Sequence, residues 1–223
     1  MNFLAAIHEV EKILAACPGV RVKPVAATPP FPKAKVILDS IPEVNYPSEL
    51  LDIYTQMGDC KFDWNTTDGK TFGENFKYGS LHLMSPNEIK CDMAWMREIA
   101  TEAMKEGWDN APGYAALVRD WPHWMPVFSF DNGDRFCIDM RDETFPIVFL
   151  EHDVMDGGPN LHGLRIAPNP EALIDRWKQI FFVECDWSLI TDISGIDLRR
   201  ECLRPMLGTY GSVDLTSPGR REE

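Results

Sequence analysis

The sequence predicts an α+β fold: a mainly antiparallel central sheet packed by helices. Three observations carry this. Trp124 to Leu150 holds three successive strand patterns joined by short turns. A capped amphipathic helix of about twenty residues opens at Ser85. Strands and helices come in runs rather than in strict alternation, which argues against a doubly wound parallel sheet.

Taken in order, residues 2–16 read as an amphipathic helix, with Phe3, Ile7, Val10 and Ile13 or Leu14 recurring at helical spacing. Asn2 is its cap and Pro18-Gly19 ends it. Seven prolines between Pro18 and Pro47 forbid a long helix there, leaving an arm with one short predicted strand, Lys35 to Leu38. A helix follows from Pro47 to Met57, with Gly58 read as a left-handed cap. Residues 59–78 read as a loop or irregular hairpin, and Leu81 to Met84 as a short strand. Ser85, Pro86 and Glu88 then form a capping box with proline at the first helical position. The helix they open, 86–106, turns Ile89, Met93, Met96, Ala100 and Ala103 to one side. Residues 108–123 form an aromatic insertion.

The strand block turns on Asp131-Asn132-Gly133. A two-residue loop would set Phe130 opposite Arg135 and mix polar with apolar side chains. A three-residue loop, with Gly133 left-handed, sets Phe128 opposite Phe136 and Pro126 opposite Ile138, and puts Phe130 on the same apolar face. Ser129, Arg135 and Asp139 then share the other face. Phe145 to Leu150 is apolar throughout and reads as a strand covered on both sides. A Gly-rich turn at 156–160 precedes a helix over 170–184 that buries Leu173, Ile174, Trp177 and Phe181. A shorter element is expected within 190–207, and 208–223 has little to bury.

Composition sets limits. The chain has 223 residues, 44% hydrophobic and 26% charged, which suits one domain with additions. No apolar run approaches the ~18 residues that span a bilayer, so no membrane segment is expected. The first helix carries Glu9 and Glu11 and lacks a basic start before an apolar run, so it does not read as a signal peptide, and a cytoplasmic location is the expectation. Six dispersed cysteines with no CxxC pair read as reduced thiols. Net charge −13 without a Lys/Arg cluster argues against direct nucleic-acid binding. The oligomeric state is left open.

Four segments, in order, resemble the SUKH superfamily, which includes the Smi/Knr-type cell-wall regulators of yeast and many bacterial immunity proteins. Tyr46-Pro47-Ser48-Glu49-Leu50-Leu51 through Met57-Gly58 resembles its opening Leu-Pro helix, with Tyr46 where Leu is usual. Gly79 to Ile89 resembles its strand running into a capped helix. Trp124-Met125-Pro126-Val127, Asp131-Asn132-Gly133-Asp134, the aromatic-led strand ending in Asp139, and Pro146-Ile147-Val148 resemble its central strands. Pro168 to Phe182 resembles its closing helix. The resemblance spans about 42–185 and implies a SUKH-like α+β domain over 42–207, with an added N-terminal helix and proline-rich arm (1–41) and a flexible tail (208–223). It also implies a cytoplasmic immunity protein that binds a cognate toxin domain, often a basic nuclease; the alternative is a Smi/Knr-like scaffold for signalling or cell-wall proteins.

The candidate contact surface is acidic. Asp131, Asp134, Asp139, Asp142, Glu143, Glu151, Asp153 and Asp156 stand against only Arg135 and Arg141 within 26 residues. Such a ridge would steer a basic partner, with Asp131, Asp134, Glu151, Asp153 and Asp156 as the expected contacts. The same acids also suit solvated turns, where Asp is common. Aromatics in the loops are a second set: Trp64, Phe72, Phe76 and Tyr78, and Trp108, Tyr114, Trp121 and Trp124. They serve either as partner anchors or as pins that hold loops to the core. Glu151-His152-Asp153 with Asp156 and His162 has metal-ligand residue types, but the remaining histidines, His8, His82 and His123, match no ligand pattern. No nucleophile elbow or phosphate loop is present. No enzyme, metal or cofactor is expected.

Overall fold

A computed structural model describes residues 2–67, 77–110, 115–151, 163 and 165–183. Among these, six α-helices accompany an eight-stranded sheet in which every strand pairing is antiparallel. The predicted α+β class is therefore the observed one. The Gly-rich turn at 156–160, the element within 190–207 and the tail at 208–223 lie outside the described residues.

Helix α1 (Phe3–Ala15) starts where the Asn2 side chain accepts the Ala5 N–H at 3.1 Å. Phe3, Ile7, Val10 and Leu14 form its buried stripe, as the spacing predicts. The arm that follows adds two short strands, β1 (Val20–Val22) and β2 (Ala26–Ala27), both on the outer edge of β3 (Cys60–Thr66). Pro24 between them cannot donate to a ladder, so the edge is filled in two pieces. Residues 35–38 are not a strand. They lie in α2 (Ala34–Leu38), because Ala34 and Leu38 are buried four residues apart and Lys35 pairs with Asp39 at i+4. The β-branched look of Val36-Ile37 misleads here, and Val36 is 70% exposed.

Helix α3 (Ser48–Tyr54) buries Leu50, Ile53 and Tyr54, and the Tyr54 hydroxyl donates to Met84 O at 2.7 Å. Gly58 does not adopt the left-handed conformation expected of it. Glycine is needed there because a Cβ would sit 2.8 Å from Thr28 Oγ1 and 3.0 Å from Pro29 O. Strand β3, expected only as part of an irregular hairpin, is regular: Cys60, Phe62, Trp64 and Thr66 are buried, alternating with Lys61, Asp63 and Asn65. It pairs with β4 (Tyr78–Leu83), which begins three residues before its predicted start.

Helix α4 (Pro86–Lys105) carries the full capping box: Ser85 Oγ accepts from Glu88 N, and the Glu88 carboxylate accepts from Ser85 N at 2.7 Å. Its five predicted core residues are all buried. A 3₁₀ turn at Trp108–Asn110, helix α5 (Ala115–Asp120) and a second turn at Trp121–His123 lead back to the sheet.

Strands β5 (Trp124–Ser129), β6 (Arg135–Asp139) and β7 (Ile147–Leu150) are central. Phe128 faces Phe136 and Gly133 has φ 98°, as the three-residue loop requires. The register then departs from expectation, since Pro126 faces Cys137 and Met125 faces Ile138. A bulge at Val127 causes this by inserting one residue, which moves every earlier side chain to the opposite face. Strand β8 (Arg165–Ala167), unforeseen in the sequence, closes the far edge.

Helix α6 (Pro170–Trp177) is shorter than the predicted 170–184. A 3₁₀ turn at Lys178–Ile180 ends it, and Phe181 and Phe182 are left-handed at φ 58° and 53°. Two side-chain bonds hold this costly backbone: Trp177 Nε1–H donates to Val183 O at 2.7 Å and Trp64 Nε1–H to Phe181 O at 2.6 Å. Trp177 is the centre of the main core. Phe128, Phe130, Phe136 and Phe182 meet its ring edge-on at 5.1–5.7 Å. Phe3 of α1 reaches Phe128 at 5.8 Å, so the N-terminal helix shares this core. On the other face, Cys137, Val148 and Leu150 pack under Met96 of α4 together with Trp124. Strand β7 is thus covered on both sides.

Candidate protein-binding face

One end of the sheet collects the features of interest. The Phe130–Asp134 turn is closed by Phe130 N–H to Asp134 O (3.0 Å) and Gly133 N–H to Phe130 O (3.1 Å). Asn132 holds it from inside, its Oδ1 accepting from Asp134 N at 3.0 Å and its Nδ2 donating to Asp134 Oδ2 at 2.6 Å. Arg135 donates to the carbonyls of Gly133 and Asp134 and pairs with Asp92 of α4 at 3.0 Å. Asp134 is therefore a buried turn residue, 6% exposed, and not a solvent-facing contact. Asp131 is exposed at the tip. Leu150 faces Arg135 across β6 and β7, which brings Glu151 to the same end.

Of the five expected contacts, Asp131, Asp134 and Glu151 thus share one end, and Asp153 and Asp156 lie outside the described residues. The other acids of the ridge do not join them. Asp139, Asp142 and Glu143 sit at the opposite end of β6, about 17 Å away at 3.4 Å per residue. Antiparallel strands send successive turns to alternate ends, so acids contiguous in sequence are split in space. Most are also engaged internally. Asp139, 4% exposed, accepts from the Arg141 side chain at 2.7 and 2.9 Å, and Arg141 also pairs with Asp120. Hydrogen bonding to Asp139 is the chief reason the Arg141 guanidinium is held even more firmly protonated than usual. Asp142 accepts from Thr144 N and Oγ1.

Beside the acidic end runs an open groove along α4. Its nearer part, about 470 Å³, is lined by Trp95, Met96, Ile99, Trp121 and Leu150, with the Asp92–Arg135 pair at its side. A second hollow of about 420 Å³ continues along the helix between Trp95, Ile99, Ala103 and Trp108, flanked by Glu98 and Glu106. Trp95 is 51% and Trp108 45% exposed. Trp108 and Trp121 belong to the expected aromatic set. Trp95 and Ile99 do not, although their spacing of four places two large apolar residues on the polar side of an amphipathic helix, which was the available signal. Trp64 and Trp124 are buried core residues, and Tyr78 is exposed on β4. Phe72, Phe76 and Tyr114 lie outside the described residues.

His82 and Ser129 face each other across β4 and β5, with Nδ1 and Oγ at 2.7 Å, and Glu88 lies 3.7 Å from Nε2. These are the residue types of an acyl-transfer triad. The Glu88 contact is too long for a hydrogen bond, however, and that carboxylate is committed to the α4 cap. Burial holds the His82 imidazole below its ordinary pKa. Among the described residues, no cluster of three or more His, Cys, Asp or Glu could hold a metal ion. Cys17, Cys60 and Cys137 are buried and form no disulfide among the described residues, and burial pushes Cys60 up to about 12. No helix among the described residues is long and apolar enough to cross a membrane. Comparison with known proteins gave no matching family model, and no curated protein matched the chain.

Proposed function

We propose that this chain is a non-enzymatic, cytoplasmic protein-binding domain. In this reading it is an immunity protein of the SUKH type that neutralises a cognate basic toxin domain by stoichiometric occlusion. The observation that carries the reading is the acidic end of the sheet, where Asp131 is exposed and Glu151 is half-buried, in a chain of net charge −13. Surface carboxylates of this kind accelerate encounter with a basic partner more than they tighten the final complex. Asp134, buried within the turn, supports that end by fixing the turn's geometry.

The test is capture by the tagged full-length protein from its native lysate, at low and high salt, with the captured protein identified. The expected result is one stoichiometric basic partner that is released at high salt, that arrests growth when expressed alone, and whose effect co-expression of this chain relieves. Charge reversal at Asp131 and Glu151 should slow association several-fold at low salt. A captured partner without toxicity would move the assignment to a regulatory scaffold of the Smi/Knr kind. An on-rate that is unchanged by charge reversal would remove the electrostatic part.

A further inference from the structure

The groove along α4 has properties that the acidic end alone does not explain. Trp95, on the solvent side of α4, and Trp108, in the 3₁₀ turn that follows the helix, are each about half exposed, while the other side of α4 is fully packed. Large aromatics exposed together in this way mark binding surfaces more often than they serve stability. The two hollows share Trp95 and Ile99, so they form one continuous trough. From Asp92 to Glu106 the helix rises about 21 Å at 1.5 Å per residue. Roughly six residues of extended chain, at about 3.5 Å each, cover that length.

The charge on the rim selects the occupant. Four carboxylates line the trough, Asp92, Glu98, Glu102 and Glu106, against one cation, Arg135. Arg135 is neutralised by Asp92, and Glu102 pairs with Lys105. Glu98 and Glu106 have no ion-pair partner among the described residues. A second copy of the chain would bring the same acids face to face across an apolar contact, which like-charge repulsion disfavours. A basic segment satisfies both features, since guanidinium groups stack on indole faces while pairing with carboxylates.

We infer that the α4 trough is the docking site for an extended, arginine-rich peptide segment of a partner protein, with apolar side chains set between Trp95, Ile99 and Trp121. This deepens the protein-binding reading above by naming what the partner presents and where it is anchored.

The probe is a fluorescein-labelled hexapeptide, Arg-Leu-Arg-Arg-Leu-Arg, titrated by anisotropy against the full-length protein. One analogue replaces each Arg by Gln, and another replaces each Leu by Gly. The basic apolar peptide is expected to bind at least tenfold tighter than either analogue. Trp95→Ala should weaken it at least fivefold, and so should the paired change Glu98→Arg, Glu106→Arg. All three positions include a solvent-facing side chain, so folding is retained. Asp52→Asn on α3 should leave binding unchanged. Equal affinity for the Gln analogue, full affinity in Trp95→Ala, or no binding would overturn the inference. So would a dimer in sedimentation that Trp95→Ala dissolves, because the occupant would then be a second copy. A captured toxin bound equally well by the groove variants would overturn this inference and leave the proposed function standing. Peptide binding through Trp95 in a chain that captures no toxin would do the reverse.

Discussion

Replacing Gly79 by alanine tests the way the closing segment is locked to the sheet. Gly79 lies opposite Trp64 in the β3–β4 ladder and bridges Val183 on its other side. Its backbone is not left-handed, so alanine brings no conformational strain of its own. The added Cβ, however, would fall 2.1 Å from Trp64 Nε1 and 2.9 Å from Phe182 O. Trp64 is 2% exposed and donates to Phe181 O, so the indole cannot move without breaking that bond. An unsatisfied buried carbonyl costs about 1–3 kcal/mol. Overpacking adds about 1–3 kcal/mol. Reduced chain entropy in the unfolded state offsets only about 0.5 kcal/mol. The net loss is about 3–4 kcal/mol, a large part of a typical 5–15 kcal/mol domain stability. Urea unfolding followed by far-UV circular dichroism should show the midpoint falling by on the order of 1–2 M with an unchanged slope. A double-mutant cycle isolates the cause: in a Trp64→Leu background the ring is gone, and Gly79→Ala should cost under about 1 kcal/mol. Additive losses, or a single-variant cost below about 1 kcal/mol, would refute the lock.

Two further outcomes follow from buried charge. Asp139→Asn leaves Arg141 without its principal partner, and a broken buried pair costs about 3–5 kcal/mol, reduced here to about 2 because Arg141 is a quarter exposed. The double change Asp139→Asn, Arg141→Met should recover part of that loss in the same unfolding assay, and a double variant less stable than the single one would contradict it. For His82, burial lowers the folded-state pKa, so the unfolded chain binds its proton at a higher pH than the folded chain does. The wild type should therefore lose stability relative to His82→Gln as pH falls from 7.5 through the unfolded pKa toward 5. Parallel stability curves for the two proteins would exclude that linkage.

Local pattern was enough for some elements. The i, i+3, i+4 stripe of α1, the Ser85–Glu88 box of α4 and the Asn132-Gly133 turn each depend on neighbours within a few residues, and each appears as the sequence predicts. Strands β1, β2 and β8 are two or three residues long and exist only because a partner edge accepts them, so no local period announces them. The end of α6 is likewise nonlocal. Helical spacing continues to Phe181, but Trp64, distant in sequence, captures the Phe181 carbonyl and favours a left-handed turn.

The candidate site divides in the same way. By itself the sequence determined which side chains are acidic, which are aromatic and which face of each amphipathic element is apolar, because composition and periodicity are properties of the chain alone. Only the tertiary structure decided that Asp134 and Asp139 serve the fold, that Asp131 and Glu151 meet at one end while Asp142 and Glu143 go to the other, and that Trp95 borders a trough. Those outcomes depend on strand direction, register and the approach of α4 to the sheet, and such long-range contacts are set by which buried surfaces fit together.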